Sequence, residues 1–250
     1  MLDLITPAIL TYNEEPNLHR TLKAVSWAKQ IIVIDSYSTD KTLEICSQHS
    51  NVQVIQNPFT SFSEQNNFAL SQVMSTPWVL SMDADYIVTP ELQDELANLN
   101  PDAHFDAYQI SFKYAIRGKV LNGSLYPPRI CLYQKAKAHY IQDGHAQRVK
   151  IEGKTGQLNS VLLHDDRKPY SRWLKSQRKY ASEEATKMTR TAWADLSTPD
   201  KVRFWGLGPL VIIPYTLLTK GLIKNGLAGF EYTLQRFIAE LYLLRARILK

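Results

Sequence analysis

The chain has 250 residues, 44% hydrophobic and 21% charged, enough for one large folded domain with an appendage and too apolar for a disordered chain. Its two cysteines, Cys46 and Cys131, lie far apart without metal-ligand spacing, which argues against a disulfide scaffold and for a reducing compartment. The net charge of +5 is unevenly spread: residues 1–166 carry 13 Lys and Arg against 18 Asp and Glu, and residues 167–250 carry 16 against 6. An acidic front suits a metal and a phosphate ligand, and a basic tail suits an anionic surface. The start, Met1-Leu2-Asp3-Leu4, lacks the basic and apolar regions of a signal peptide, so a cytoplasmic location is expected.

In chain order, Pro7 to Leu10 reads as a strand and Glu15 to Lys29 as a helix with Leu18, Leu22, Val25 and Ala28 on one face. Ile31 to Ile34 is a β-branched run, as expected of a strand buried on both faces. Thr39 to Gln48 reads as a helix capped by Ser38 or Thr39, with Asp40 a further capping residue. A strand at Val52 to Ile55, a helix at Ser63 to Met74, a strand at Trp78 to Met82 and a helix at Pro90 to Leu99 follow. This rhythm predicts a mostly parallel sheet with helices on both faces. From Phe105 to Leu163 the pattern changes to short strands and turns, with Tyr108 to Tyr114 alternating like a half-exposed antiparallel strand. After Pro169 the chain reads as helical, with Trp173 to Met188 amphipathic.

Residues 203–224 are apolar but broken by Pro209 and Pro214, and the uncharged run is too short to span a bilayer. Aromatic residues Phe204, Trp205 and Tyr215, flanked by Arg203, Lys220 and Lys224, fit a segment lying in a membrane interface. The competing reading is a core helix or a partner contact. No nucleic-acid motif accompanies the basic residues.

Three polar clusters follow strands: Thr11-Tyr12-Asn13-Glu14-Glu15, Asp35-Ser36-Tyr37-Ser38-Thr39-Asp40, and Asp83-Ala84-Asp85. In open parallel sheets ligands bind beyond the carboxyl ends of the strands, so all three are expected along one edge. Two carboxylates one residue apart suit a hard divalent cation shared with substrate phosphates. Neither Gly-x-Gly-x-x-Gly nor a complete Gly-x-x-x-x-Gly-Lys-Ser/Thr phosphate loop is present, so a diphosphate ligand needs that cation to neutralise it.

Together these motifs resemble glycosyltransferase family 2, with its GT-A fold, and within it the lipopolysaccharide-core β-glucosyltransferase type. The resemblance is strong over residues 6–100 and looser through Asp143-Gly144-His145 and His164-Asp165-Asp166 to Tyr180-Ala181 and Glu184-Ala185. It implies a nucleotide-sugar-binding α/β half (1–100), an acceptor-side antiparallel half (101–168) and a basic helical C-terminal region (169–250) that associates with membrane. It implies that Thr11, Asn13 and Glu14 line a nucleotide pocket and that Asp35 accepts from the base, uracil by preference. Asp83 then faces the ribose or the metal, and Asp85 ligates Mg²⁺ or Mn²⁺. Family members often have Arg where this chain has Asn66, which leaves Gln65 and Asn67 as donor-site candidates against plain helix packing. Arg129 is a diphosphate contact or a surface charge, and His164 a third metal ligand or a structural residue.

Inverting transfer needs a general base. Many relatives have His-Glu where this chain has Asp143-Gly144-His145. Asp143 is the choice, with His145 as alternative base or orienting group, and a turn as the competing reading. The expected activity is metal-dependent transfer of a hexose from a UDP-sugar to a lipid-linked or lipopolysaccharide-type acceptor, at the inner face of the cytoplasmic membrane. Two alternatives stand beside it: a haloacid-dehalogenase-like phosphatase using Asp83 and Asp85 with Asp165 and Asp166, and a non-catalytic membrane-associated nucleotide-sugar binding protein.

Overall fold

A computed structural model describes residues 1–100, 104–143 and 146–249, leaving aside the side chains of residues 142–147. The chain divides into two compact units, Met1–Lys113 with Tyr126–Arg167, and Tyr114–Leu125 with Lys168–Lys250.

The first unit opens with β1 (Ile5–Thr11), α1 (Leu18–Ala24), β2 (Ile31–Asp35), α2 (Thr42–Ser47), β3 (Val52–Gln56), α3 (Phe62–Gln72), β4 (Trp78–Asp83), β5 (Tyr86–Val88) and α4 (Pro90–Asn98). β6 (Ala107–Ile116) continues into the second unit, where β7 (Lys119–Val120) pairs with its far end. β8 (Arg129–Gln134), β9 (Ala138–Asp143), β10 (Ala146–Ile151) and β11 (Thr155–His164) complete the first unit. The main sheet runs β3-β2-β1-β4-β8-β6-β11-β5. It is parallel from β3 to β4 and switches to antiparallel at β8. β9 and β10 form a separate hairpin.

Period-two alternation sends the strands' side chains to two cores. Ile5, Ile9, Ile31, Val33, Leu80 and Met82 pack with Leu18 and Leu22 of α1 and Leu92 and Leu96 of α4. Ala8, Ile32, Ile34 and Val79 face the other way, with Ala69 and Leu70 of α3. Helices therefore cover both faces, and β2 is buried along its whole length. Each such Leu or Ile contributes about 1.5–3 kcal/mol through burial.

Two helices are shorter than their patterns. α1 starts at Leu18 because the residues before it serve tertiary bonds: Glu14 N donates to Thr42 Oγ1, and the Asn17 side chain donates to Glu14 and Asp166. Val25 and Ala28 keep their buried positions in the turns that follow. α2 starts at Thr42, and neither Ser38 nor Thr39 caps it. Ser38 Oγ is drawn to Asp35 and to Asn13 N, and Thr39 N donates to Asn13 Oδ1, while Asp40 Oδ1 accepts from Thr42 N at 3.0 Å.

The second unit holds α5 (Tyr170–Arg190), α6 (Thr198–Phe204), α7 (Gly208–Pro214) and α8 (Leu227–Ile248). A π-helical turn (Tyr215–Thr219) and a 3₁₀ turn (Leu222–Asn225) link α7 to α8. Its core gathers Ile116, Leu121, Leu222, Ala228 and Tyr232, and a satellite cluster joins Ala181, Ala185 and Met188 of α5 to Leu243 of α8.

Candidate active site

The three clusters end neighbouring strands. Thr11 pairs with Asp35 across β1 and β2, and Leu10 pairs with Asp83 across β1 and β4. Parallel strands send all three loops to the same edge of the sheet.

The first two loops lock together. Asp35 is fully buried and accepts from Thr11 Oγ1 at 3.2 Å, from Ser38 N at 2.9 Å and from Gln56 Nε2 at 3.2 Å, as well as from Ser38 Oγ. Asn13 and Tyr37 both sit at positive φ, 54° and 59°. Asn13 tolerates this region better than most residues; for Tyr37 it is a strained conformation of the kind that collects at functional sites. The Tyr12 and Tyr37 rings next to them are exposed. Glu14 is buried, and its Oε2 accepts from Asn17 Nδ2 at 2.9 Å.

At the end of β4 the two aspartates diverge. Asp83 is half exposed and lies 3.7 Å from Arg129 Nη1. Asp85 turns inward, its Oδ2 3.2 Å from His164 Nε2. His164 is brought there by β11, which pairs it with Tyr86 of β5. Its ring sits edge-on to Tyr86 and Tyr126, with centroids 5.4 and 4.8 Å away. Arg129 Nη1 donates to both phenols, at 3.0 and 3.2 Å, and the two hydroxyls also bond to each other. Tyr86 and Tyr126 escaped the sequence reading. Their only signals are adjacency, one directly after Asp85 and the other directly before Pro127-Pro128.

This cluster is electrostatically tense. Burial opposes a charged His164, but Asp85, Asp83 and Asp166 outweigh it and hold its pKa above the usual histidine value. Burial also opposes the Arg129 cation, and the phenols and Asp83 reverse that effect. Burial, then Asp83, push the Tyr86 hydroxyl well above its ordinary pKa, so it stays a neutral phenol. Arg129 is thus a partly buried cation beside Asp83, not a solvated surface charge.

Gln65 and Asn67 make protein bonds. Gln65 is buried, donates to Ser36 Oγ and Asn57 O, and accepts from Asn57 Nδ2 at 2.7 Å. Asn67 pins α3 to β9 through two bonds with the Tyr140 backbone, 2.8 and 3.0 Å long. Asp143 ends β9, its backbone paired with Ala146 of β10. Its side chain and the whole of His145 lie outside the described residues.

A divalent cation fits the donor set in part. Asp85 and His164 offer a carboxylate and an imidazole facing each other, and Asp83 is close by, but among the described residues no three such side chains converge on one point. Mg²⁺ and Mn²⁺ commonly take only one or two carboxylates from protein and the rest of their shell from phosphates and water, so this partial set suffices for a substrate-shared ion.

Asp165 and Asp166, the extra metal ligands of the phosphatase alternative, have other partners. Asp165 is buried between Arg20 (2.6 Å) and Arg167 (2.8 Å), and Asp166 Oδ1 accepts from Asn17. The comparisons with known proteins do not favour that alternative either. The family model described as "Glycosyl transferase family 2" matches residues 8–152. An uncharacterized glycosyltransferase of Rickettsia typhi is 29% identical over 202 residues, covering 74% of this chain and 68% of that protein. The lipopolysaccharide core biosynthesis glycosyltransferase LpsC of Rhizobium meliloti is 28% identical over 95 residues, 36% of this chain and 35% of LpsC. Among solved structures, the mannosyltransferase PcManGT from Pyrobaculum calidifontis, in complex with GDP-Man and Mn²⁺, superposes with a TM-score of 0.54 at 15% identity, over 98% of this chain and 86% of that one. The fold is accordingly a GT-A-like α/β fold, and the chain belongs to glycosyltransferase family 2.

Proposed function

We propose that this enzyme transfers a hexose, with inversion, from a nucleoside-diphosphate sugar to a hydroxyl of a lipid-linked or lipopolysaccharide-type acceptor, at the inner face of the cytoplasmic membrane. The observation that carries the reading is the meeting of Asp83, Asp85, His164 and Arg129 beside the ends of β1 and β2. UDP is the nucleotide expected from the motifs, Mg²⁺ or Mn²⁺ the metal, and a lipopolysaccharide acceptor agrees with the resemblance to LpsC.

Thr11, Asn13, Glu14 and Asp35 form the nucleotide side of the site. Asp85 and His164 hold the metal, with Asp83 toward it or the ribose. A bound divalent cation supplies Lewis-acid stabilisation of the departing diphosphate. Arg129 adds a fixed positive charge on the same side, where charge develops as the sugar leaves. Asp143 takes the proton of the acceptor hydroxyl, with His145 as alternative base or orienting group. The acceptor oxygen bonds to the anomeric carbon from the face opposite the diphosphate, and the breaking carbon–oxygen bond leaves its electron pair on the diphosphate. Gln65 and Asn67 act by holding the loop after β3 and the β9–β10 hairpin in place.

Calorimetric titration of UDP and GDP, with and without Mn²⁺, on wild type and Asp85→Ala tests the donor side. Metal-dependent UDP binding lost in Asp85→Ala is the expected result. Binding of GDP alone would overturn the choice of base, and binding of neither would overturn the donor site.

A further inference from the structure

The second unit is partly inside out. Along α8, Leu227, Phe230, Leu234, Leu241 and Ile248 are all exposed, Leu227 at 88%. Their spacing of three, four, seven and seven residues puts them on one narrow stripe. The opposite face, turned into the unit, carries Gly229, Thr233 and Glu240 beside Tyr232 and Leu243. The segment before α8 repeats the arrangement. Leu210 and Leu218 are exposed at 72% and 67%, while Gly208 and Thr216 are buried.

The buried contact between these segments is made by small and polar groups. Thr216 Oγ1 and Thr233 Oγ1 lie 3.0 Å apart, and each hydroxyl also bonds to a carbonyl of its own helical segment. A Cβ on Gly229 would lie 2.0 Å from the Leu222 backbone carbonyl oxygen, so that position needs glycine for the close approach, and one on Gly208 would lie 2.3 Å from Glu240 Oε2 and displace that carboxylate. Small residues and hydroxyls at helix contacts, with leucines outside, suit helices whose outer surroundings are apolar. Water-soluble monomers rarely leave so continuous an apolar stripe uncovered.

Charge selects the occupant. Residues 203–250 carry 7 Lys and Arg and only 2 Asp and Glu. Both acids are paired within the unit, Glu231 with Arg117 and Glu240 with Arg203. Lys220 lies over the Tyr215 ring and Lys201 over Trp193, placing cations beside amphipathic aromatics as at a membrane–water boundary. A second copy would oppose like charges, whereas an anionic bilayer complements them. No described helix is long and apolar enough to cross a membrane, and α8 is interrupted by charges.

We propose that the leucine faces of α7, the π-helical turn and α8 insert as a monotopic wedge into one leaflet of an anionic bilayer. This builds on the membrane location in the proposed function but not on its chemistry. It extends the interfacial segment expected at residues 203–224 to α8 and makes apolar burial, rather than charge, the source of the binding.

Flotation of the full chain with phosphatidylglycerol-containing vesicles, at low and high salt, separates the two. The variants are Leu210→Ser/Leu218→Ser/Leu227→Ser, all at exposed positions, and Met74→Ser as an exposed apolar control in the first unit. Wild type and the control should stay bound at high salt, and the Ser variant should partition at least about tenfold more weakly while binding UDP like wild type. Salt-released binding that the Ser variant retains overturns insertion and leaves charge docking standing. No vesicle binding at any salt overturns both. A dimer in solution that the Ser variant breaks, without vesicle binding, overturns the proposal in favour of a second copy.

Discussion

Arg129 shows how much of a site one side chain can hold. It bonds the buried Tyr86 phenol and the partly buried Tyr126 phenol and faces Asp83, so a neutral residue there leaves two hydroxyls short of a donor and removes the cation beside Asp83. Arg129→Met is expected to lower kcat of donor turnover on the order of 10²-fold. Arg129→Lys should recover part of it, keeping the charge but losing the guanidinium fork. A Met variant with wild-type kcat would remove Arg129 from the reaction. Asp35 is a different case. A carboxylate has about four acceptor positions, and four protein donors already fill them, so contact with a base requires Gln56 or Thr11 to yield. The sequence marks both residues as polar at the right place, but not their partners. Tyr86 and Tyr126 were hidden because aromatic residues beside a motif look like core, and what distinguishes these two is a shared arginine that belongs to another strand.

At the scale of elements, legibility followed burial. β2 and β4 are apolar runs inside the sheet, and their ends place Asp35 and Asp83 where the pattern expects them. α1 and α2 lost their first turns to loop-to-loop bonds, which no periodicity reports. β5 has three residues, too few for any period, and owes its existence to pairing with β11. That same pairing delivers His164, so the residue was visible and its route was not. α4 and β11 are joined by Glu95, which accepts from Asn159 N at 2.9 Å and from Ser160 N at 2.7 Å. Burial pulls its pKa up, but these amide bonds win and hold it below the usual value of 4.5. The carboxylate binds its proton less readily folded than unfolded, so its stabilisation is complete above the ordinary value and fades as pH falls through the lowered one. Glu95→Gln should therefore cost stability at neutral pH, with the gap from wild type closing under acid. Thermal melts at a series of pH values check this, and a gap that stays constant would show that the carboxylate's charge is not what ties the two elements.

At the scale of the molecule, the chain's charge asymmetry anticipates a division of labour, and its two compact units give that division a physical form. Every proposed donor-site residue belongs to the first unit, and the whole uncovered leucine surface to the second. A ligand that binds only the folded form of one unit stabilises that unit by mass action, about 2.7 kcal/mol at a hundredfold excess over Kd. Units with separate cores need not melt together. Scanning calorimetry is then expected to show two components, with UDP and Mn²⁺ raising only the one that contains β1 to β4. Asp85→Ala should cancel that rise, because it removes the proposed metal ligand, and the Ser variant of the leucine face should leave it intact, because its three positions belong to the other unit. Equal shifts of both components in wild type would mean that the nucleotide stabilises the second unit as well, and the separation of catalytic from membrane surfaces would then fail as a description of how this enzyme works.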